Sequence, residues 1–187
     1  MIGLFGGAFD PPHNGHVALV EAAKAELGLD RVLVLVAAKP EHKHVETPAA
    51  TRLELTRAAF PDDEVILDEH PRTIDLLRAH SEWSDPVFLL GADEFCDFHS
   101  WKEPDEVLRR ARLGVATRPG FPRSGLQSVL EQLESPERVL FFELDLPVAS
   151  RELRGRRDIA GAVPPAVAAI IEREGLYGRR RGYTEPA

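Results

Sequence analysis

The chain has 187 residues, is 43% hydrophobic and carries a formal charge of −8. The length fits one domain, the apolar content is too high for a disordered chain, and the acidic balance argues against a general nucleic-acid binder. One cysteine, Cys96, excludes an intrachain disulfide and fits a reducing compartment. No apolar run is long enough to span a membrane and no cleavable leader opens the chain, so the expectation is a soluble cytoplasmic protein.

Six short apolar runs are expected to be strands: Ile2–Phe5, Arg31–Ala37, Glu64–Leu67, Val87–Leu90, Leu113–Thr117 and Val139–Leu144. The run from Val32 to Val36 does not alternate, which fits a parallel strand buried on both faces. Helical patterns fill the gaps. Residues 15–27 carry Val20, Ala23 and Leu27 on one face, with Asn14 as N-cap and Gly28 as the stop. Thr47-Pro48 offers a cap and a first-turn proline for a helix that Pro61 ends. Further helices are read over Thr73–His80, Pro104–Arg110 and Leu126–Leu133, and one opens at Pro164-Pro165 and ends at Gly175. This alternation implies an α/β, doubly wound, mainly parallel sheet with helices on both faces. It is expected to form one domain over residues 1–178, with residues 179–187 as a basic tail.

In such sheets ligands bind beyond the carboxyl ends of the strands. The first strand runs into Gly6-Gly7-Ala8-Phe9-Asp10-Pro11-Pro12-His13-Asn14-Gly15-His16. Paired glycines allow close backbone approach, and a helix start offers N–H donors and a positive dipole end to an anion. His13 and His16, three apart, can flank one phosphate there. The segment is neither a dinucleotide fingerprint nor a P-loop. His13, His16, Cys96 and His99 also have zinc-like spacing, but a helix start suited to anions weighs against a metal.

This segment resembles the G-G-x-F-D-P-x-H-x-G-H signature of the nucleotidylyltransferase superfamily, with every fixed position matched. Further segments resemble the nicotinate-nucleotide adenylyltransferase family. They are Gly91-Ala92-Asp93 followed by Trp101, Arg118-Pro119-Gly120 and Leu176-Tyr177. Thr73-Ile74-Asp75-Leu76-Leu77 resembles its Y-T-x-D-T-L, with Arg72 for the tyrosine and Leu76 for the second threonine. Pro40-Glu41-His42-Lys43 resembles its P-x-x-P-H-K loop, with Glu41 for a proline. Residues 148–154 resemble I-S-S-T-x-I-R: Ser150 and Arg154 are kept, while Ala149 and Arg151 replace two hydroxyl residues.

The resemblance implies adenylyl transfer from ATP to nicotinate mononucleotide without a protein nucleophile. His13 and His16 would donate to phosphate oxygens, and Gly6, Gly7, Ala8 and Phe9 would form the turn around the ATP phosphates. Lys43 and Arg154 would neutralise the phosphates, and Ser150 would cap a helix and touch one. Gly91 and Asp93 would hold the ATP ribose. Thr73, as a helix cap, and Trp101, by stacking, would hold the nicotinate end, with Lys43 and Arg118 nearby. Asp10 would fix the turn rather than bind metal. Mg²⁺ would arrive with ATP, held largely by phosphate and water. No nucleic-acid or membrane partner is implied, and a homo-oligomer is left open.

Each role has a plainer rival. Lys43 suits a surface lysine, Asp93 a helix N-cap and Trp101 a part-buried core aromatic. Residues 151–157, with four arginines and one glutamate, suit a solvated face. Alternatives for the whole chain are a nicotinamide-nucleotide or pantetheine-phosphate adenylyltransferase, or a nucleotide-binding module without turnover.

Overall fold

A computed structural model describes residues 1–40, 45–117, 121–144 and 161–178. In chain order the strands are β1 (Ile2–Gly7), β2 (Arg31–Ala37), β3 (Glu64–Asp68), β4 (Val87–Gly91), β5 (Arg112–Thr117) and β6 (Val139–Glu143). The helices are α1 (Asn14–Leu27), α2 (Ala49–Ala59), α3 (Thr73–Ala79), α4 (Ala92–Cys96), α5 (Pro104–Arg110), α6 (Arg123–Leu130) and α7 (Pro165–Glu174). The strands form one sheet in the order β3-β2-β1-β4-β5-β6. Every neighbouring pair is parallel. The chain winds outward from β1 to β3, then crosses back to β4 and winds the other way. The switch therefore falls between β1 and β4, where such sheets open a crevice.

The uninterrupted apolar run of β2 is explained by burial on both faces. Val32, Val34 and Val36 enter a core shared with Leu19, Val20 and Ala23 of α1, Leu55 of α2 and Val167 and Ile171 of α7. Leu33 and Leu35 enter the opposite core, with Ile74, Leu76 and Leu77 of α3, Val107 and Leu108 of α5 and Val129 of α6. Period-two alternation thus sends valines to one face and leucines to the other. Each fully buried side chain of this kind is worth about 1.5–3 kcal/mol.

The helix stops behave as their residues require. Gly28 (φ 63°) and Gly175 (φ 65°) end α1 and α7 in the left-handed region, which costs a glycine little. Four expected starts differ. The N-cap of α1 is His13 rather than Asn14, which is the first helical residue. Pro48 rather than Thr47 caps α2. Arg72 rather than Thr73 caps α3, and no side chain bonds that cap. α6 begins three residues earlier than the apolar spacing of residues 126–133 suggests. The short α4, and the 3-10 turns Phe98–Ser100 and Pro136–Arg138, carry too little periodicity to be read from sequence.

Candidate active site

The turn after β1 and the start of α4 after β4 meet at the switch point. Gly7 closes β1, and a Cβ there would lie 2.9 Å from the Phe9 ring. Phe9, 2% exposed with φ 48°, folds its ring back over this glycine. There it meets Phe5 edge-on (centroids 5.5 Å), Phe60 (6.2 Å) and His16 (5.0 Å). The glycine therefore answers a packing need, and the Phe9 side chain belongs to the core. Only the backbone of Phe9 remains for a ligand. Gly6 is similar, since its Cβ would stand 3.2 Å from Phe88.

His13 and His16 come together as expected. Their rings stack with centroids 3.6 Å apart and planes 20° from parallel. The His13 backbone N–H donates to His16 Nδ1 at 3.2 Å. With Nδ1 accepting, a neutral His16 ring carries its proton on Nε2, which is then a donor. His13 is 4% exposed. Burial lowers its pKa to about 4, so its ring is neutral near pH 7. Its Nδ1 is buried without a hydrogen-bond partner among the described residues. Leaving such a group unpaired costs about 1–3 kcal/mol, which a ligand's polar group could recover.

The first turn of α1 is less open to an anion than its sequence suggests. The Asn14 backbone N–H donates to the Ala162 carbonyl (3.0 Å) and its side-chain amide to the Gly161 carbonyl (2.8 Å). Asn14 thus ties the chain just before α7 to the histidine turn.

Asp10 fixes the turn, as its sequence position suggests. It is 1% exposed. Its carboxylate accepts from the Tyr177 hydroxyl (2.7 Å) and the Glu46 backbone N–H (3.2 Å). Beside it lies a residue the sequence reading missed. Arg52, also 1% exposed, donates to the carbonyls of Ala8 (2.7 Å), Ala37 (2.9 Å), Thr47 (3.0 Å) and Ala38 (3.2 Å). The signal was available: Arg52 shares the buried face of α2 with Leu55, Thr56 and Ala59, at spacings of three, four and seven. An arginine on an apolar stripe needs partners.

Across the switch, Gly91 ends β4 and caps α4. A Cβ there would meet nothing within 4 Å, so the protein's own packing does not demand glycine. Asp93 is exposed in the first turn of α4 and is not its cap. Trp101 is half-buried, with its ring at right angles to Phe88 (5.8 Å) and tilted on Phe98 (5.2 Å). Lys102, next to it, pairs with Asp75 in the first turn of α3 (2.9 Å). Arg72 donates to the Pro71 carbonyl (2.9 Å). Lys43, Arg118, Ser150 and Arg154 lie outside the described residues.

The zinc alternative finds no support in the geometry. His99 contacts the Val129 carbonyl (3.2 Å), and Cys96 lies against the Gly125 position of α6. Among the described residues no three His, Cys, Asp or Glu side chains group so as to hold a metal ion. No described helix is long and apolar enough to cross a membrane.

Residues 4–156 match the family model described as cytidylyltransferase-like. A Thermus thermophilus protein named "Probable nicotinate-nucleotide adenylyltransferase" is 37% identical, covering 94% of this chain and 98% of its own length. A Rubrobacter xylanophilus protein of the same name is 33% identical, covering 94% and 91%. Among solved structures, the Plasmodium falciparum nicotinic acid mononucleotide adenylyltransferase complexed with NaAD superposes with a TM-score of 0.73. It covers 96% of this chain and 98% of that one at 20% identity, a likeness of fold. The chain belongs to the cytidylyltransferase-like family and, within it, to the nicotinate-nucleotide adenylyltransferases.

Proposed function

We propose that this chain transfers the adenylyl group of ATP to nicotinate mononucleotide, giving nicotinate adenine dinucleotide and pyrophosphate. The observation that carries the proposal is the stacked His13–His16 pair, 3.6 Å between centroids, at the β1–β4 switch. A phosphate oxygen of the acceptor attacks the α-phosphorus of ATP. The bond from that phosphorus to the bridging oxygen breaks, and pyrophosphate leaves. No protein nucleophile is needed, so the chain aligns the two phosphates and stabilises charge on the phosphorus oxygens.

His16 Nε2–H is the donor to the α-phosphate. His13, neutral, hydrogen-bonds a neighbouring phosphate oxygen rather than acting as a cation. The backbone of Gly6, Gly7, Ala8 and Phe9 lines the polyphosphate. Gly91 admits the ATP ribose against the β4 backbone, which gives its missing side chain a reason, and Asp93 accepts from the ribose hydroxyls. Thr73 and Trp101 hold the nicotinate ring. Lys43, Ser150 and Arg154 on the phosphates, and Arg118 near the acceptor, rest on the sequence resemblance. Magnesium enters as part of the substrate, Mg²⁺–ATP; Asp10, engaged by Tyr177 and Glu46, is not assigned to it.

The test is pyrophosphate release from Mg²⁺–ATP with nicotinate mononucleotide, with pantetheine 4′-phosphate, and with no acceptor. Release with the first alone is expected. Release with the second alone, or with neither, contradicts the proposal.

A further inference from the structure

We infer that Arg52 is a positioning residue for the histidine turn, working with Asp10 and Tyr177. Its kinetic consequence rests on the adenylyl-transfer reading; its geometric basis does not.

Arg52 holds three separate pieces of chain at once. Its four acceptors belong to the turn after β1 (Ala8), to the end of β2 and the residue beyond it (Ala37, Ala38), and to the entry to α2 (Thr47). Anchoring α2 alone would need only the last of these. The planar fork reaches all of them because its donors point outward in one plane, which a lysine cannot reproduce.

The bond to Ala8 is the one that reaches the chemistry. Fixing a carbonyl fixes its peptide plane, and a trans peptide then sends the next N–H, that of Phe9, to the opposite side. Phe9 follows in the left-handed region at φ 48°, and its ring braces His16 edge-on at 5.0 Å. Asp10, the next residue, is held from the other end of the fold by Tyr177, which follows α7. The residues on both sides of Phe9 are therefore tied down by groups that sequence places far away, the buried Arg52 and the half-buried Tyr177. Arg52 and Asp10, both 1% exposed, are of opposite charge. Burial pulls the Arg52 pKa below the ordinary arginine value, and Asp10 and Tyr177 act against that fall. Loosening either tie lets the Phe9 brace shift and takes His16 off its line to the phosphorus.

The test uses Arg52→Lys and Tyr177→Phe, each read by steady-state kinetics, thermal melting and nitrogen-15 spectra of the histidine rings. With Mg²⁺–ATP and nicotinate mononucleotide, Arg52→Lys is expected to lower kcat about a hundredfold, the scale of a small misplacement remote from the chemistry. Tyr177→Phe, which removes one hydroxyl and keeps the ring, is expected to lower it about tenfold. The acceptor KM should stay within about twofold in both. The wild-type spectrum should show His16 in the single tautomer protonated at Nε2, and both variants should show mixed tautomers. A merely structural anchor would lower the melting temperature and leave kcat and the tautomer of folded protein at wild-type values, which would overturn the inference. If Arg52→Lys does not fold, Tyr177→Phe decides on the same readouts. If the wild type releases no pyrophosphate with this acceptor, the functional reading falls, and the histidine spectra still decide the positioning role.

Discussion

The two ends of the sheet treat polar groups in opposite ways. At the amino ends of the strands, charges are paired and partly exposed. Asp85, just before β4, bridges Arg138 (2.6 Å) and Arg112 (2.5 Å), which lead into β6 and β5. A groove of about 280 Å³ opens there beside Ile2, Arg31, Glu64 and Trp83. Its imidazole, His80, is already stacked on Trp83 at 4.2 Å and bonded to Glu82 at 2.9 Å. At the carboxyl ends, Asp10, Arg52 and His13 are 1%, 1% and 4% exposed, and His13 Nδ1 has no partner among the described residues. One end satisfies its charges cheaply in solvent. The other buries them to hold a backbone shape and leaves a ring nitrogen unpaired. That contrast, more than cavity size, is what supports the carboxyl end as the proposed working end of the fold.

The sharpest way to break the contrast is His16→Ala. A donor to an oxygen that gains charge is worth about 3–4 kcal/mol, so pyrophosphate release should fall about 10²–10³-fold. The melting temperature should fall only modestly, because His16 is half-buried and gives up one hydrogen bond from the His13 backbone and its ring contacts. Turnover within a few fold of wild type would return the working end to an ordinary turn.

Acid should act through His13 next. Its folded pKa of about 4 lies below the ordinary 6.5, so folding favours the neutral ring. The stability this confers is complete above pH 6.5 and is lost as pH falls from 6.5 through about 4. Urea unfolding at pH 7 and pH 4.5 should show about 2–3 kcal/mol more loss for wild type than for His13→Gln. Equal losses would mean that the ring titrates as if exposed.

The smallest effect belongs to the amino end. Burial pushes the Asp85 carboxyl up, but hydrogen bonds from Arg138 and Arg112 outweigh it and leave the pKa below its ordinary 3.8. The stability it adds is therefore present above pH 3.8 and is lost as pH falls through the lower folded value. Asp85 is more than a third exposed, so screening limits the gain to about 1 kcal/mol or less. Asp85→Asn should lower the neutral-pH melting temperature slightly and leave kcat unchanged. A kcat loss like that of His16→Ala would erase the difference between the two ends.

Much of this division was legible in the sequence, for reasons that differ by residue. The unbroken Val32–Val36 run could be read because burial on both faces removes polar alternation. The histidine turn could be read because its glycines, Asp10 and histidines keep fixed spacing. Helix starts were read less well. Asn14 and Thr73 have side chains that can cap, yet His13 and Arg72 hold the cap positions, because extended φ and ψ at those residues set the helix entry. The Asn14 amide is instead used across the fold, on Gly161. Arg52 was hidden because its acceptors are backbone carbonyls of residues 8, 37, 38 and 47, which no side-chain pattern records. Its place on the buried stripe of α2 was the one local sign.

The acceptor itself gives the most direct test of the central claim. Nicotinate and nicotinamide mononucleotides differ by a carboxylate against a neutral carboxamide. A charge-assisted hydrogen bond exceeds a neutral one by about 1–1.5 kcal/mol, so one or two such contacts give about tenfold to a hundredfold preference for the acid. The measurement is kcat/KM for each acceptor under identical Mg²⁺–ATP and salt. The account predicts a ratio of at least about ten in favour of nicotinate mononucleotide; a ratio near one, or a preference for the amide, contradicts it.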